Sequence, residues 1–98
     1  MAKKKESLIV NGIRKRLNDI EGAFFFKIHG GPMQMAGISD IIGIYKGRFI
    51  AIEVKRPENR KGVTKIQAFF LDRVNRCGGL GFVSTSIEET LEKLGINI

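Results

Sequence analysis

The stretch SDIIGIYKGRFIAIEVK, Ser39 to Lys55, holds two runs that read as core strands, separated by Lys46-Gly47. A two-residue loop between such runs makes a β-hairpin and sets its register. Tyr45 then pairs with Arg48, Ile44 with Phe49 and Ile42 with Ala51, and Asp40 falls directly opposite Glu53. Side chains alternate between the faces of a strand, so Asp40 and Glu53 share one face and Lys55 joins them two residues on. Ile41, Ile50, Ile52 and Val54 take the other. A three-residue loop would move the register by one and break this arrangement.

Directly opposed carboxylates in an antiparallel pair lie close enough to repel, and something must offset that repulsion. A divalent cation such as Mg²⁺, held by hard carboxylate oxygens while keeping waters that a phosphate can displace, would do so. Lys55 would then stand beside the metal as a cation with three donors, able to hold an attacking water or a phosphate oxygen. Metal-assisted phosphodiester hydrolysis is the chemistry this suggests. The plainer alternative is that Asp40 only starts a strand while Glu53 and Lys55 belong to a solvated sheet face.

The remaining chain supplies the frame. Its 98 residues suffice for one domain with one core, and 43% hydrophobic with 28% charged residues is a globular composition. Residues 4–20 carry apolar groups at Leu8, Ile9, Val10, Ile13, Leu17 and Ile20, near the period of an amphipathic helix. AFFFKIH, 23–29, reads as a strand, followed by a mobile Gly/Met-rich loop, and RPENRKG as a basic loop with a proline stop. Thr64 to Cys77 reads as a helix ended by Gly78-Gly79, LGFVST as the last strand, and Ser86-Ile87-Glu88-Glu89 as a capping box opening a helix that stops at Gly95. The expected order is α-β-β-β-α-β-α, an α/β fold with helices flanking a mixed sheet.

No apolar run approaches the roughly 18 residues of a membrane helix, and MAKKKES lacks the apolar stretch of a signal peptide, so a cytoplasmic protein without a membrane partner is expected. Cys77 is a lone cysteine, read as a small buried group at a helix end, and with a single His no Cys/His zinc set exists. The net charge is +7, and residues 1–86 hold 16 bases against 7 acids. Such a surface suits a polyanion, nucleic acid above all. Arg56, Arg60, Lys61 and Lys65, beside the acidic cluster, would track a phosphate backbone; a merely solvated loop is the alternative. His29 is isolated and reads as a surface residue at a strand end. Phe24, Phe25 and Phe26 point to both faces of one strand, more than a small domain can bury, which hints at a subunit contact.

Ser39-Asp40, twelve residues, then Glu53-Val54-Lys55 resembles the pattern of the PD-(D/E)XK nuclease superfamily. With KESLIVNGIRKRL before it and KIQAFFLDRVNRCGG after it, the chain looks like a stand-alone VRR-NUC (virus-type replication-repair nuclease) domain over about residues 5–84. One departure is Ser39 where the family usually has proline, a variant accepted among related resolvases. The resemblance implies a restriction-endonuclease-like core and a DNA repair endonuclease, of bacterial or phage origin, using Mg²⁺ or Mn²⁺. Its metal would be held by Asp40, Glu53, the Val54 carbonyl and Glu6, with Lys55 activating the nucleophile. Glu6 also falls in line with Ile9, Ile13 and Leu17 on the first helix, although a carboxylate in a first turn is favourable without a metal, by ~0.3–1 kcal/mol. Gln67 matches a family glutamine that orients Lys55 or the water, yet Thr64-Lys65-Ile66-Gln67 equally reads as a capping box. Branched DNA such as a Holliday junction is the implied substrate, with no small-molecule substrate, and stand-alone members imply a homodimer. An archaeal-type Holliday-junction resolvase and a non-catalytic nucleic-acid-binding module are the alternatives.

Overall fold

The computed structural model describes residues 5–29 and 35–97. Three helices and four strands follow one another as α1 (Glu6–Leu17), β1 (Ala23–Lys27), β2 (Ile41–Tyr45), β3 (Arg48–Val54), α2 (Lys65–Arg76), β4 (Leu80–Ser84) and α3 (Ile87–Leu94). This is the expected order, with one addition: a 3-10 turn, Pro57–Asn59, inside the basic loop. The sheet order is β1-β2-β3-β4; the first three strands are antiparallel and β4 lies parallel to β3, so the sheet is mixed.

The hairpin register is the expected one. Tyr45 pairs with Arg48, Ile44 with Phe49 and Ile42 with Ala51. Lys46 and Gly47 both take positive φ, 48° and 83°, the twist a two-residue hairpin needs. Ile41, Ile50, Ile52 and Val54 are buried on one face with Phe25 and Phe82, against Ile9, Val10, Ile13 and Leu17 of α1 and the apolar side of α3. This face is the core.

α1 stops at Leu17 rather than at residue 20. Asn18 ends it: its side chain donates to the Phe25 carbonyl and accepts from the Phe25 N–H, which turns the chain back into β1. On the other face α2 packs over β3 and β4, with Leu71 against Gly81, and leaves β1 and β2 uncovered. Phe24, Phe26, Ile44 and Phe49 share that uncovered face and are 43–65% exposed. Cys77 is exposed, not buried as expected: it caps the C-terminal end of α2 and lines an open groove with Met35, Phe49 and Phe70. Among the described residues no helix is long and apolar enough to cross a membrane.

Gly43 shows how closely the strands fit. A Cβ there would stand 2.2 Å from the Phe24 carbonyl oxygen and 2.7 Å from the Phe25 Cα, both backbone atoms. Gly43→Ala should therefore destabilise the fold by at least about 2 kcal/mol, seen as a lower urea midpoint with an unchanged m-value.

Candidate active site

The β2–β3 ladder ends at Ile41 and Ile52, one step short of the expected Asp40–Glu53 pair. Asp40 stands in the bend before β2, where its carbonyl accepts from the Ile28 N–H at 2.8 Å. Its side chain takes over where the backbone ladder stops: Oδ2 accepts from the Val54 N–H at 2.8 Å. The correction leaves the two acids together. Their carboxyl groups are near enough for the charge of Asp40 to act on Glu53.

Glu53 is the unusual residue. It is 2% exposed, with Oε2 accepting from Gln67 Nε2 at 3.0 Å and Oε1 buried without a hydrogen-bond partner. Burial first, then the charge of the neighbouring Asp40 carboxylate, push the Glu53 carboxyl up to about 8; Lys55 opposes this, and the charge of Glu6 adds to it. Lys55, also buried, places Nζ 3.9 Å from Glu53 Oε2. The solvated-face alternative fails for Glu53 and Lys55, since both are buried.

Gln67 forms the expected capping box and also reaches the acidic cluster, at Glu53. Its Oε1 accepts from the Thr64 N–H at 2.9 Å while Thr64 Oγ1 accepts from the Gln67 N–H, closing the capping box. Its Nε2 remains to hold Glu53, rather than Lys55 or a water.

Glu6 opens α1, half-buried, and acts on Glu53 as a charge without touching it. Among the described residues no three His, Cys, Asp or Glu side chains form a group that could hold a metal ion by themselves. The pair Asp40–Glu53 is nonetheless suited to a hard cation: two adjacent carboxylates, one with an orphaned buried oxygen. Val54 contributes its N–H to Asp40. Ser39, fully buried, also carries an Oγ without a partner.

The basic loop divides. Lys61 and Lys65 are exposed and pair with no described acid, while Arg56 lies 3.5 Å from Glu58. Arg60 is taken by Glu89. This also corrects the second capping box. Ser86 Oγ does accept from the Glu89 N–H, but the Glu89 carboxylate turns away to Arg60 and Thr85. No sequence signal singled out Glu89 for that role. His29 is exposed at the end of β1, and the loop residues 30–34 lie outside the described residues.

No protein-family model matches the chain, and no curated protein matches it in sequence. The site is therefore read from its own geometry.

Glu53 should make the metal-free protein less stable as pH rises. The native carboxyl keeps its proton up to about 8, while the unfolded one releases it near 4.5, so between these values the native state binds more protons and loses stability with pH. In EDTA the melting temperature should fall by at least about 5 °C from pH 5 to pH 8. Glu53→Gln, which cannot ionise, should flatten that slope.

Proposed function

We propose that this chain is a metal-dependent DNA endonuclease with a restriction-endonuclease-like core of the PD-(D/E)XK type, in the manner of a VRR-NUC domain. The observation that carries the reading is Glu53: a buried carboxylate with one unpaired oxygen, set against Asp40 on one side and Lys55 on the other. Burying an acid beside a second acid is costly unless a cation or a reaction uses it.

Asp40, Glu53 and the Val54 carbonyl would hold Mg²⁺ or Mn²⁺, with Glu6 completing the set through water. A bound ion of this kind polarises phosphate and lowers the pKa of its water. Lys55 stands where it can hold a water or a phosphate oxygen by charge-assisted hydrogen bonds. Gln67 fixes the rotamer of Glu53 by holding Oε2, which leaves Oε1 for the ion. Lys61, Lys65 and Arg56 offer positive charge to a DNA backbone beside the centre. Branched DNA, including four-way junctions, is the proposed substrate, in DNA repair or junction resolution. A non-catalytic binding module would gain nothing from two adjacent acids that repel phosphate.

The open sheet face supports a homodimer. Phe24, Phe26, Ile44 and Phe49 form an apolar surface next to Ile42 and Ala51. At roughly 150–250 Å² per aromatic side chain they leave on the order of 400 Å² of apolar area exposed. That suits the apolar centre of one half of a standard interface, about 800 Å² per partner. A second copy with the same face is the occupant we assign. Light scattering should give about twice the 10.9 kDa chain mass at micromolar protein, and Phe24→Asp/Phe49→Asp should give one chain mass with unchanged circular dichroism. A wild-type monomer would sink the dimer without touching the nuclease reading.

Incubation with labelled duplex, single-stranded, flap and four-way-junction DNA in Mg²⁺, Mn²⁺ or EDTA tests the activity. Asp40→Ala and Glu53→Ala should abolish cleavage while DNA binding persists or tightens. Lys55→Met should lower the single-turnover rate at least about 100-fold. Normal turnover by either acid mutant removes the proposed centre.

A further inference from the structure

Arg60 stands in the basic loop, where phosphate contact would be its simplest role. Its side chain is engaged otherwise. Nη1 donates to Glu89 Oε1 at 2.7 Å and Nη2 donates to Glu89 Oε2, a two-pronged pair. Glu89 Oε1 also accepts from the Thr85 N–H at 2.8 Å and from Thr85 Oγ1 at 3.1 Å. Arg60 holds the Glu89 carboxyl down to about 2, so the pair stays charged across any working pH. An isolated surface ion pair contributes little, but bidentate geometry with further hydrogen bonds on the same carboxylate is the exception.

What the pair connects gives it meaning. The chain from Lys55 to Arg60 is tied at both ends to the segment from Ser84 to Glu89. At one end the Lys55 N–H donates to the Ser84 carbonyl at 3.0 Å; at the other Arg60 grips Glu89. The segment it is tied to is itself rigid. Ser84 Oγ meets Thr90 Oγ1 at 2.8 Å and donates to the Ser86 carbonyl, and Ser84 and Thr90 are fully buried. The loop also closes on itself: the Asn59 N–H donates to the Arg56 carbonyl between the two ties, and just past Arg60 the Gly62 N–H donates to the Asn59 carbonyl.

We infer that Arg60 and Glu89 are a positioning pair, a clamp that fixes the loop leaving Lys55 and presents Lys61 and Lys65 to DNA, and that Arg60 is not itself a phosphate ligand. The inference deepens the nuclease reading and, for its kinetic part, rests on it. Arginine is required for such a clamp because only its planar fork spans both carboxylate oxygens; lysine keeps the charge and loses the fork.

The test compares Arg60→Lys, Arg60→Ala, Glu89→Gln and Lys61→Ala on junction DNA with Mn²⁺, with amide hydrogen exchange on the free proteins. A clamp predicts that Arg60→Lys, Arg60→Ala and Glu89→Gln each lower the single-turnover rate at saturating DNA about 3–10-fold. The Arg60→Ala/Glu89→Gln double mutant should lose no more than either alone, since each already breaks the same pair. Their binding should keep the wild-type salt slope, whereas Lys61→Ala should reduce that slope by about 1. Exchange at the Asn59 and Gly62 amides should quicken in the clamp mutants alone. The inference is overturned if Arg60→Lys behaves as wild type, Arg60→Ala reduces the salt slope by about 1 and Glu89→Gln tightens binding, the pattern of a phosphate ligand freed from its acid. Unchanged exchange in Arg60→Ala and Glu89→Gln overturns it equally. Quickened exchange in a protein whose wild type cleaves no DNA upholds the clamp and removes the nuclease reading, so the two can fail separately.

Discussion

A carboxylate buried at the end of a central strand is the constraint around which this molecule is arranged. Glu53 points away from the apolar core, into the layer between the sheet and α2, where water is excluded. Each neighbour that touches it arrives from a different part of the chain: Asp40 from the bend before β2, Lys55 from the end of β3, Gln67 from the first turn of α2. One carboxylate oxygen is held and the other is not. An acid left half-satisfied in this way is destabilising in the ionised form, so the site stores a demand for positive charge that Lys55, 3.9 Å away, answers only in part.

The asymmetry of the sheet follows from serving two purposes with one layer. The face toward α1 and α3 is closed by Ile, Val, Leu and Phe and supplies the stability. The opposite face is divided along its width. Where α2 lies across β3 and β4, small residues let the helix approach closely: a Cβ at Gly81 would already stand 3.1 Å from Leu71, and one at Gly79 2.9 Å from Val74. On this face no helix among the described residues lies over β1 and β2, and the aromatic residues stand open. Among the described residues three helices serve two faces, and the second face is left half covered.

Much of the architecture was legible because it depends on local chemistry. Lys46-Gly47 specified a hairpin register that holds down the whole ladder, since two positive φ values at those positions permit only one pairing. The helix stops at Gly78-Gly79 and Gly95 were legible for the same reason. What was not legible depends on partners distant in sequence. Asn18 ends α1 by bonding to Phe25, seven residues on, and nothing in the helical period marks it. Asp40 and Glu53 do meet, but through a side chain that continues a ladder the backbone has abandoned, which a register argument cannot foresee. The exposure of Cys77 depends on what packs against the end of α2, a tertiary quantity.

The two helix starts with capping-box sequences show most clearly how a site borrows from the fold. Thr64-Lys65-Ile66-Gln67 and Ser86-Ile87-Glu88-Glu89 carry the same local instruction, and in both the hydroxyl accepts from the backbone N–H three residues on. They differ in what the side chain at that third helical position can do besides. A glutamine amide is an acceptor at one end and a donor at the other, so Gln67 can complete the cap and still donate to Glu53; a glutamate there would bring a third negative charge to an already repelling pair. At the second helix no buried acid is waiting. Glu89 has only acceptors, and the strongest donors within reach are the guanidinium of Arg60 and the groups of Thr85, so the carboxylate leaves the cap open and ties down the loop instead. The chemistry of one residue at each helix start thus decides whether that terminus supports the carboxylate centre from within or braces the loop beside it.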